Sequence, residues 1–219
     1  MTSKAKVKSP SKANIISYYM NYVLEHEAVP KSVFKFCKEN KIKEEEFYKN
    51  FGSVKGIQKA IWDIFFENTM GLLSKNKEYQ EFSSKDKMLT FFFTFFEMLK
   101  LNRSYVLFAL NEDKNPLKSI EQLKGLRNGI RNFTKELIEE DNSVKTSKIS
   151  KHQPGLFSEG AWVQFLFLLK FWMDDTSADF EKTDIAIEKS IKTIFDVFDN
   201  TPLDSIIDFG KFIYKEKFS

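Results

Sequence analysis

The sequence predicts an all-α fold, and three observations carry that expectation. Apolar residues recur at helical spacing along most of the 219-residue chain, as at Ile187, Ile191, Ile194 and Phe198, which lie four, three and four apart. No neighbouring segments alternate apolar and polar residues about hairpin turns, the signature of paired strands. Helix-start chemistry recurs as well: Thr201-Pro202-Leu203-Asp204 offers a hydroxyl cap, a proline at the first helical position and a carboxylate on the helix dipole. About nine or ten helices are expected.

Taken in order, residues 1–12 form a basic tail, with Lys4, Lys6, Lys8 and Lys12 among serines and Pro10. It suits an arm along a nucleic-acid backbone and equally a solubilising tail. Residues 13–55 read as a compact three-helix unit. Asn14 to Glu27 is amphipathic, with Ile15, Tyr18, Tyr19, Tyr22 and Val23 on one side, and Pro30 ends the connection after it. Val33, Phe36 and Cys37 share the inner face of a second helix that Ser32 begins. Lys41-Ile42-Lys43 makes a break, Glu44 to Asn50 a third helix with Phe47 inward, and Ser53 caps the fourth helix. Two short helices about a tight turn are the helix-turn-helix plan.

Residues 56–219 form a larger helical body. A long helix from Ser53 to about Leu73 leads into it, with Ile57, Ile61, Ile64, Phe65 and Leu72 on one stripe. Met88 to Leu101 is apolar on nearly every side, as is Ala161 to Met173. After Asn115-Pro116 one helix is expected through Leu117, Ile120, Leu123, Leu126, Ile130, Phe133 and Leu137, with Gly125 and Gly129 permitting close approach of a neighbour. Asp141 to Gln153 reads as a polar loop, Ser177 starts a further helix, and a last one runs from Thr201 through Ile207, Phe209, Phe212, Ile213 and Tyr214.

Apolar content of 42% against 30% charged places the chain with globular proteins rather than disordered ones. The net charge of +3 is unevenly spread: residues 1–60 hold twelve lysines, no arginine and six glutamates, leaving −3 for the rest. Either a polyanion partner for the head or a solvated lysine-rich surface accounts for that. One cysteine excludes a disulfide framework and fits a reducing cytoplasm. The first twelve residues have no apolar signal core, and no run is long enough to span a bilayer. His26 and His152 are the only histidines, neither at metal-ligand spacing, and no phosphate loop or nucleophile elbow is present. Asp174, Asp175 and Asp179 cluster at a helix junction, where capping explains them. No enzyme activity, metal or cofactor is expected.

The residues Ser32-Val33, Phe36-Cys37, Ile42-Lys43 and Tyr48-x-x-Phe51 resemble, in register, the head of the TetR/AcrR family of bacterial regulators. The resemblance implies a DNA-binding head and a helical body that dimerises and binds a small ligand. Ser32, Lys43, Tyr48 and Lys49 would then meet phosphates and Glu44 to Glu46 would face base edges; by charge alone, Lys41, Lys43, Lys49 and Lys55 are able to grip phosphates. The chain departs from the family at Asn40-Lys41, where a small residue and glycine are usual, and in the acidic start of its reading helix. It also has no arginine there for guanine.

The same resemblance implies a homodimer whose interface is built from paired helices at 158–175 and 178–199, so that Phe171, Ile187, Ile191, Ile194 and Phe198 become interface candidates. Phe92, Phe95, Phe96, Phe108, Trp162 and Phe165 either line a pocket for a small hydrophobic ligand or fill a core. A second segment, with Asp175, Ser177, Asp179, Phe180, Thr183, Ile187 and Glu188, is similar to one in the coenzyme Q biosynthesis accessory proteins. That resemblance implies an alternative: a lipid- or isoprenoid-binding accessory protein with a TetR-like fold and no operator binding.

Overall fold

A computed structural model describes residues 10–112, 116–144 and 152–200, apart from the side chains of 116–118 and 199–200. Most of the basic tail, the Asn115 cap and the closing helix from Thr201 lie outside the described residues. Within them the chain is all-α, with eleven α-helices, one 3₁₀ turn and no strand. In order these are α1 (Lys12–His26), α2 (Val33–Glu39), α3 (Glu44–Asn50), α4 (Val54–Leu73), α5 (Lys77–Glu81) and α6 (Ser84–Leu101). After them come α7 (Arg103–Asn111), α8 (Pro116–Glu121), α9 (Lys124–Val144), α10 (Pro154–Asp174), the 3₁₀ turn Ala178–Phe180 and α11 (Glu181–Asn200). Two compact units result: residues 1–72 with 94–129, and residues 73–93 with 130–219.

In the first unit, side-chain oxygens start the short helices. The Ser11 hydroxyl accepts from Asn14 N–H at 3.2 Å while Asn14 Oδ1 accepts from Ser11 N–H at 3.0 Å, a reciprocal cap on α1. Ser32 accepts from Lys35 N–H at 3.2 Å, and Ser53 from Gly56 N–H at 3.1 Å. The core beneath is aromatic. Phe36 packs edge-on to Tyr19 at 6.3 Å and to Phe47 at 6.0 Å, and both phenylalanines have no exposed surface. Full burial of such a ring contributes about 1.5–3 kcal/mol. Tyr19 also meets Tyr105 of α7 at 6.3 Å, fastening α1 to α7.

Gly125 and Gly129 do allow close packing. A Cβ at Gly125 would strike the Asp63 carboxylate, and one at Gly129 would lie 3.0 Å from the Phe66 ring of α4. The single helix expected after Pro116 is in fact two. Gln122 leaves the helical path because its amide donates to Ala109 O at 2.9 Å and its oxygen accepts from Trp62 Nε1 at 3.0 Å. Leu123 drops into the core, fully buried, and α9 restarts behind it. At the end of α4 the stripe also shifts: Leu72 is exposed and Leu73 is buried.

The second unit is held by rings as well. Phe91 meets Phe133 at 4.7 Å, Phe92 meets Phe165 at 6.4 Å, and Phe157 meets Phe195 at 5.2 Å. The buried Lys87 ammonium lies 3.3 Å from both Glu140 oxygens, and Arg131 pairs with Glu159 at 2.7 Å. Burial, with Glu140 nearby, pushes the Tyr79 phenol up to about 12. The polar stretch expected as a loop from Asp141 is helical as far as Val144. Asn142 then receives an N–H from His152 at 2.9 Å and donates to its carbonyl at 2.8 Å.

Candidate nucleic-acid interface and apolar helices

The turn between α2 and α3 is tight because Ile42 N–H reaches back to Cys37 O at 3.0 Å and Lys41 N–H to Lys38 O at 3.3 Å. Closing it places Lys41 at φ 55°, the left-handed region where glycine is usual. A lysine held in this conformation costs about 1–2 kcal/mol. Cys37 is buried beside the turn, and its thiol is pushed up to about 11, first by burial and then by Glu44. A thiol so raised is no nucleophile.

Ser32, Lys43, Tyr48, Lys49 and Lys55 are all exposed on the head, while Glu44 is half-buried. Tyr48 stands on Phe47, ring centroids 5.4 Å apart, with 53% of its own surface exposed. The ammonium of Lys49 is engaged, 2.8 Å from Glu45 one helical turn earlier. Each raises the charge preference of the other: the Lys49 value is raised and the Glu45 value lowered by their hydrogen bond and attraction. Lys43 precedes α3 without a side-chain cap, and Glu44, Glu45 and Glu46 occupy the first turn, where the dipole favours negative charge. His26 adds a brace that spacing did not reveal. Its ring stacks on Tyr22 at 4.1 Å, with Nδ1 2.9 Å from Tyr22 O and Nε2 2.9 Å from Glu39 of α2.

The six candidate pocket residues are divided between the two units. Phe92, Trp162 and Phe165 belong to the second unit, where Trp162 stacks on Phe165 at 5.3 Å. Phe95, Phe96 and Phe108 belong to the first; Phe95 and Phe96 are buried, whereas Phe108 lines a cleft of about 450 Å³ with Ala28 and Val29.

The interface candidates divide too. Ile187 and Ile191 are 0% and 1% exposed within a single chain, on the helix that packs against α10. Phe171, Ile194 and Phe198 are half-buried, and Gly160 of α10 is set against Ile194 and Phe198 of α11. The outward apolar residues include Val163 and Phe167 of α10 and Ile185 and Val197 of α11, with Phe167 60% exposed. The signal that finds Val163 and Phe167 is the apolar character of α10 on every side: one face more than its own unit covers.

The Asp174–Asp179 cluster resolves into a junction. Asp175, 6% exposed, accepts from Ser177 N–H and Oγ at 2.8 and 2.6 Å and from Thr183 N–H and Oγ1 at 2.9 and 2.6 Å. Burial works to raise this carboxyl, yet the four donors prevail and hold it at about 2. Phe180, at φ 64°, lies against Trp172 at 6.0 Å. The segment similar to the coenzyme Q accessory proteins is therefore the corner that turns α10 into α11.

Among the described residues no group of three or more histidine, cysteine, aspartate or glutamate side chains is placed to hold a metal ion. No helix of the described residues is long and apolar enough to cross a membrane. No curated protein and no solved structure is matched by the chain. Residues 87–213, more than half of it, do match the family described as the tetracyclin repressor-like C-terminal domain. With that body behind a helix-turn-helix head, the chain belongs to the TetR-like regulators, a family of non-enzymatic proteins.

Proposed function

We propose that this regulator acts as a homodimer that binds DNA through its two heads and a small hydrophobic ligand through its body. The observation that carries the reading is the head itself. A Ser32-capped helix, a left-handed turn at Lys41 and α3 with exposed Lys43, Tyr48 and Lys49 present a cationic-flanked surface over the Phe36–Phe47 core. Lys43 and Lys55 grip phosphates, Ser32 and Tyr48 donate to them, and Glu44 to Glu46 accept from base amino groups such as cytosine N4. Val163, Phe167 and Ile185 supply the face by which α10 and α11 meet a second copy. The two heads then sit about 34–36 Å apart, one turn of duplex.

Fluorescence anisotropy with DNA from upstream of the protein's own coding region tests this. Binding weakens steeply with salt, and Lys43→Ala lowers the slope of log K against log salt by about two per dimer, one per protomer. Phe167→Glu leaves helicity intact and yields monomer by sedimentation. Salt-independent binding, or a dimer that survives Phe167→Glu and a companion Val163→Glu, overturns the respective half of the reading.

The Glu45–Lys49 pair favours a second reading, because it neutralises a cation on the reading helix. In that case the protein is a lipid- or isoprenoid-binding accessory protein without operator binding. Mass spectrometry of organic extracts of the native protein distinguishes it: co-purifying lipid with no DNA affinity favours this reading, and a lipid-free protein excludes it.

A further inference from the structure

The first unit contains a second cleft, of about 240 Å³, unrelated to the phenylalanine-rich helices. Lys55, Gln58 and Lys59 enter it from one face of the first turns of α4, three and four residues apart. Glu112 faces them from the end of α7, and Ser119, Glu121 and Gln122 from α8 and the turn after it.

Most of these groups already have partners. Lys59 lies 3.3 Å from Glu121, and Gln58 Nε2 donates to Glu112 at 3.1 Å. Gln122 is committed to Trp62 and Ala109. Ser119 is an exception: it is 6% exposed and its hydroxyl has no hydrogen-bond partner. A buried hydroxyl left unpaired is unfavourable, so an occupant that reaches it is favoured.

The lining restricts the occupant. Two ammonium groups face two carboxylates, so the walls hold both signs in balance. An apolar molecule would strip water from all four without replacing it. A simple anion would oppose Glu112 and Glu121, and a simple cation would oppose Lys55 and Lys59. A zwitterion meets both pairs. The volume lies below the ~300–1,000 Å³ of sites for drug-sized molecules, which leaves a small metabolite.

We propose that this cleft between α4, α7 and α8 binds a small zwitterion of the α-amino-acid class. Its ammonium group lies against Glu112 and Glu121, and its carboxylate against Lys55 with a hydrogen bond from Ser119. The site needs neither DNA nor a second copy for its binding, although Lys55 is shared with the phosphate contacts proposed above.

Calorimetric titration of the full-length protein with each of the twenty α-amino acids tests it. At least one binds with submillimolar affinity, and its deaminated and decarboxylated analogues do not. Ser119→Ala weakens that binding about tenfold while the ligand-free protein melts no lower, since the change removes an unpaired hydroxyl. Lys55→Met, which removes the cation that faces the carboxylate, weakens it as well. The proposal is overturned if no amino acid binds, if either singly charged analogue binds equally, or if Ser119→Ala and Lys55→Met leave affinity unchanged.

Discussion

Replacing Asp175 with asparagine preserves the shape of the α10–α11 corner and removes its charge. The carboxylate accepts four hydrogen bonds at 2.6–2.9 Å, two each from Ser177 and Thr183. Asparagine offers one oxygen, and its amide turns two hydrogens toward groups that are themselves donating. One backbone N–H then loses its acceptor in a buried corner, so the expected loss is about 2–4 kcal/mol at neutral pH. The ionisation gives a second measure. With the folded group held at about 2 against an ordinary 3.8, the shift corresponds to roughly 2 kcal/mol. The sign is that of a depressed acid: the stabilisation is complete above pH 4 to 5 and disappears as pH falls from 4 towards 2. About half of it is gone by pH 3.

Urea unfolding of the native protein and Asp175→Asn, followed by tryptophan fluorescence at pH 7 and pH 3, measures both numbers. The gap between the two proteins narrows on acidification, because other carboxylates titrate equally in each. Thr183→Val in a double-mutant cycle shows coupling to Asp175 of about 1 kcal/mol or more. A gap under 0.5 kcal/mol at pH 7, or one that is the same at pH 3, refutes the account of the corner.

Two further predictions concern stability. Lys41→Gly relieves the left-handed turn and raises the denaturation midpoint by the equivalent of about 0.5–1 kcal/mol, the relief less the extra entropy of glycine in the unfolded chain. A lower midpoint would mean that the lysine stem packs better than its backbone suffers. At the Lys87–Glu140 pair the two partners are unequal, with side chains 9% and 65% exposed. Glu140→Gln therefore strands a buried ammonium and costs about 1–3 kcal/mol, whereas Lys87→Met leaves a hydrated carboxylate and costs less; equal losses in thermal melts would contradict this.

The head is legible in the sequence because its signals are local. Ser11, Ser32 and Ser53 cap helices within three residues of themselves, and the Phe36–Phe47 core comes from a period that five or six residues suffice to show. The break between α8 and α9 is not, because it depends on Trp62 and Ala109, which lie about sixty and thirteen positions from Gln122. Ile187 and Ile191 show a different limit. A helical stripe announces that something covers it but not whether that is another helix of the same chain or a second copy. The zwitterion cleft is hidden for the same reason as the break: its residues come from three helices and form no motif along the chain. At the acidic junction the sequence points to Asp175, Asp179 and capping, while the choice of Ser177 and Thr183 as donors needs the fold.

Cys37 has a practical consequence. It is the one thiol in the chain, it is 2% exposed, and it sits behind the turn that joins α2 to α3. A thiol reagent can reach it only when the head opens, so the labelling rate of the native protein reports the local opening equilibrium of that small unit. The same measurement repeated with DNA or an amino acid present would register whether either ligand tightens the head, without any engineered probe.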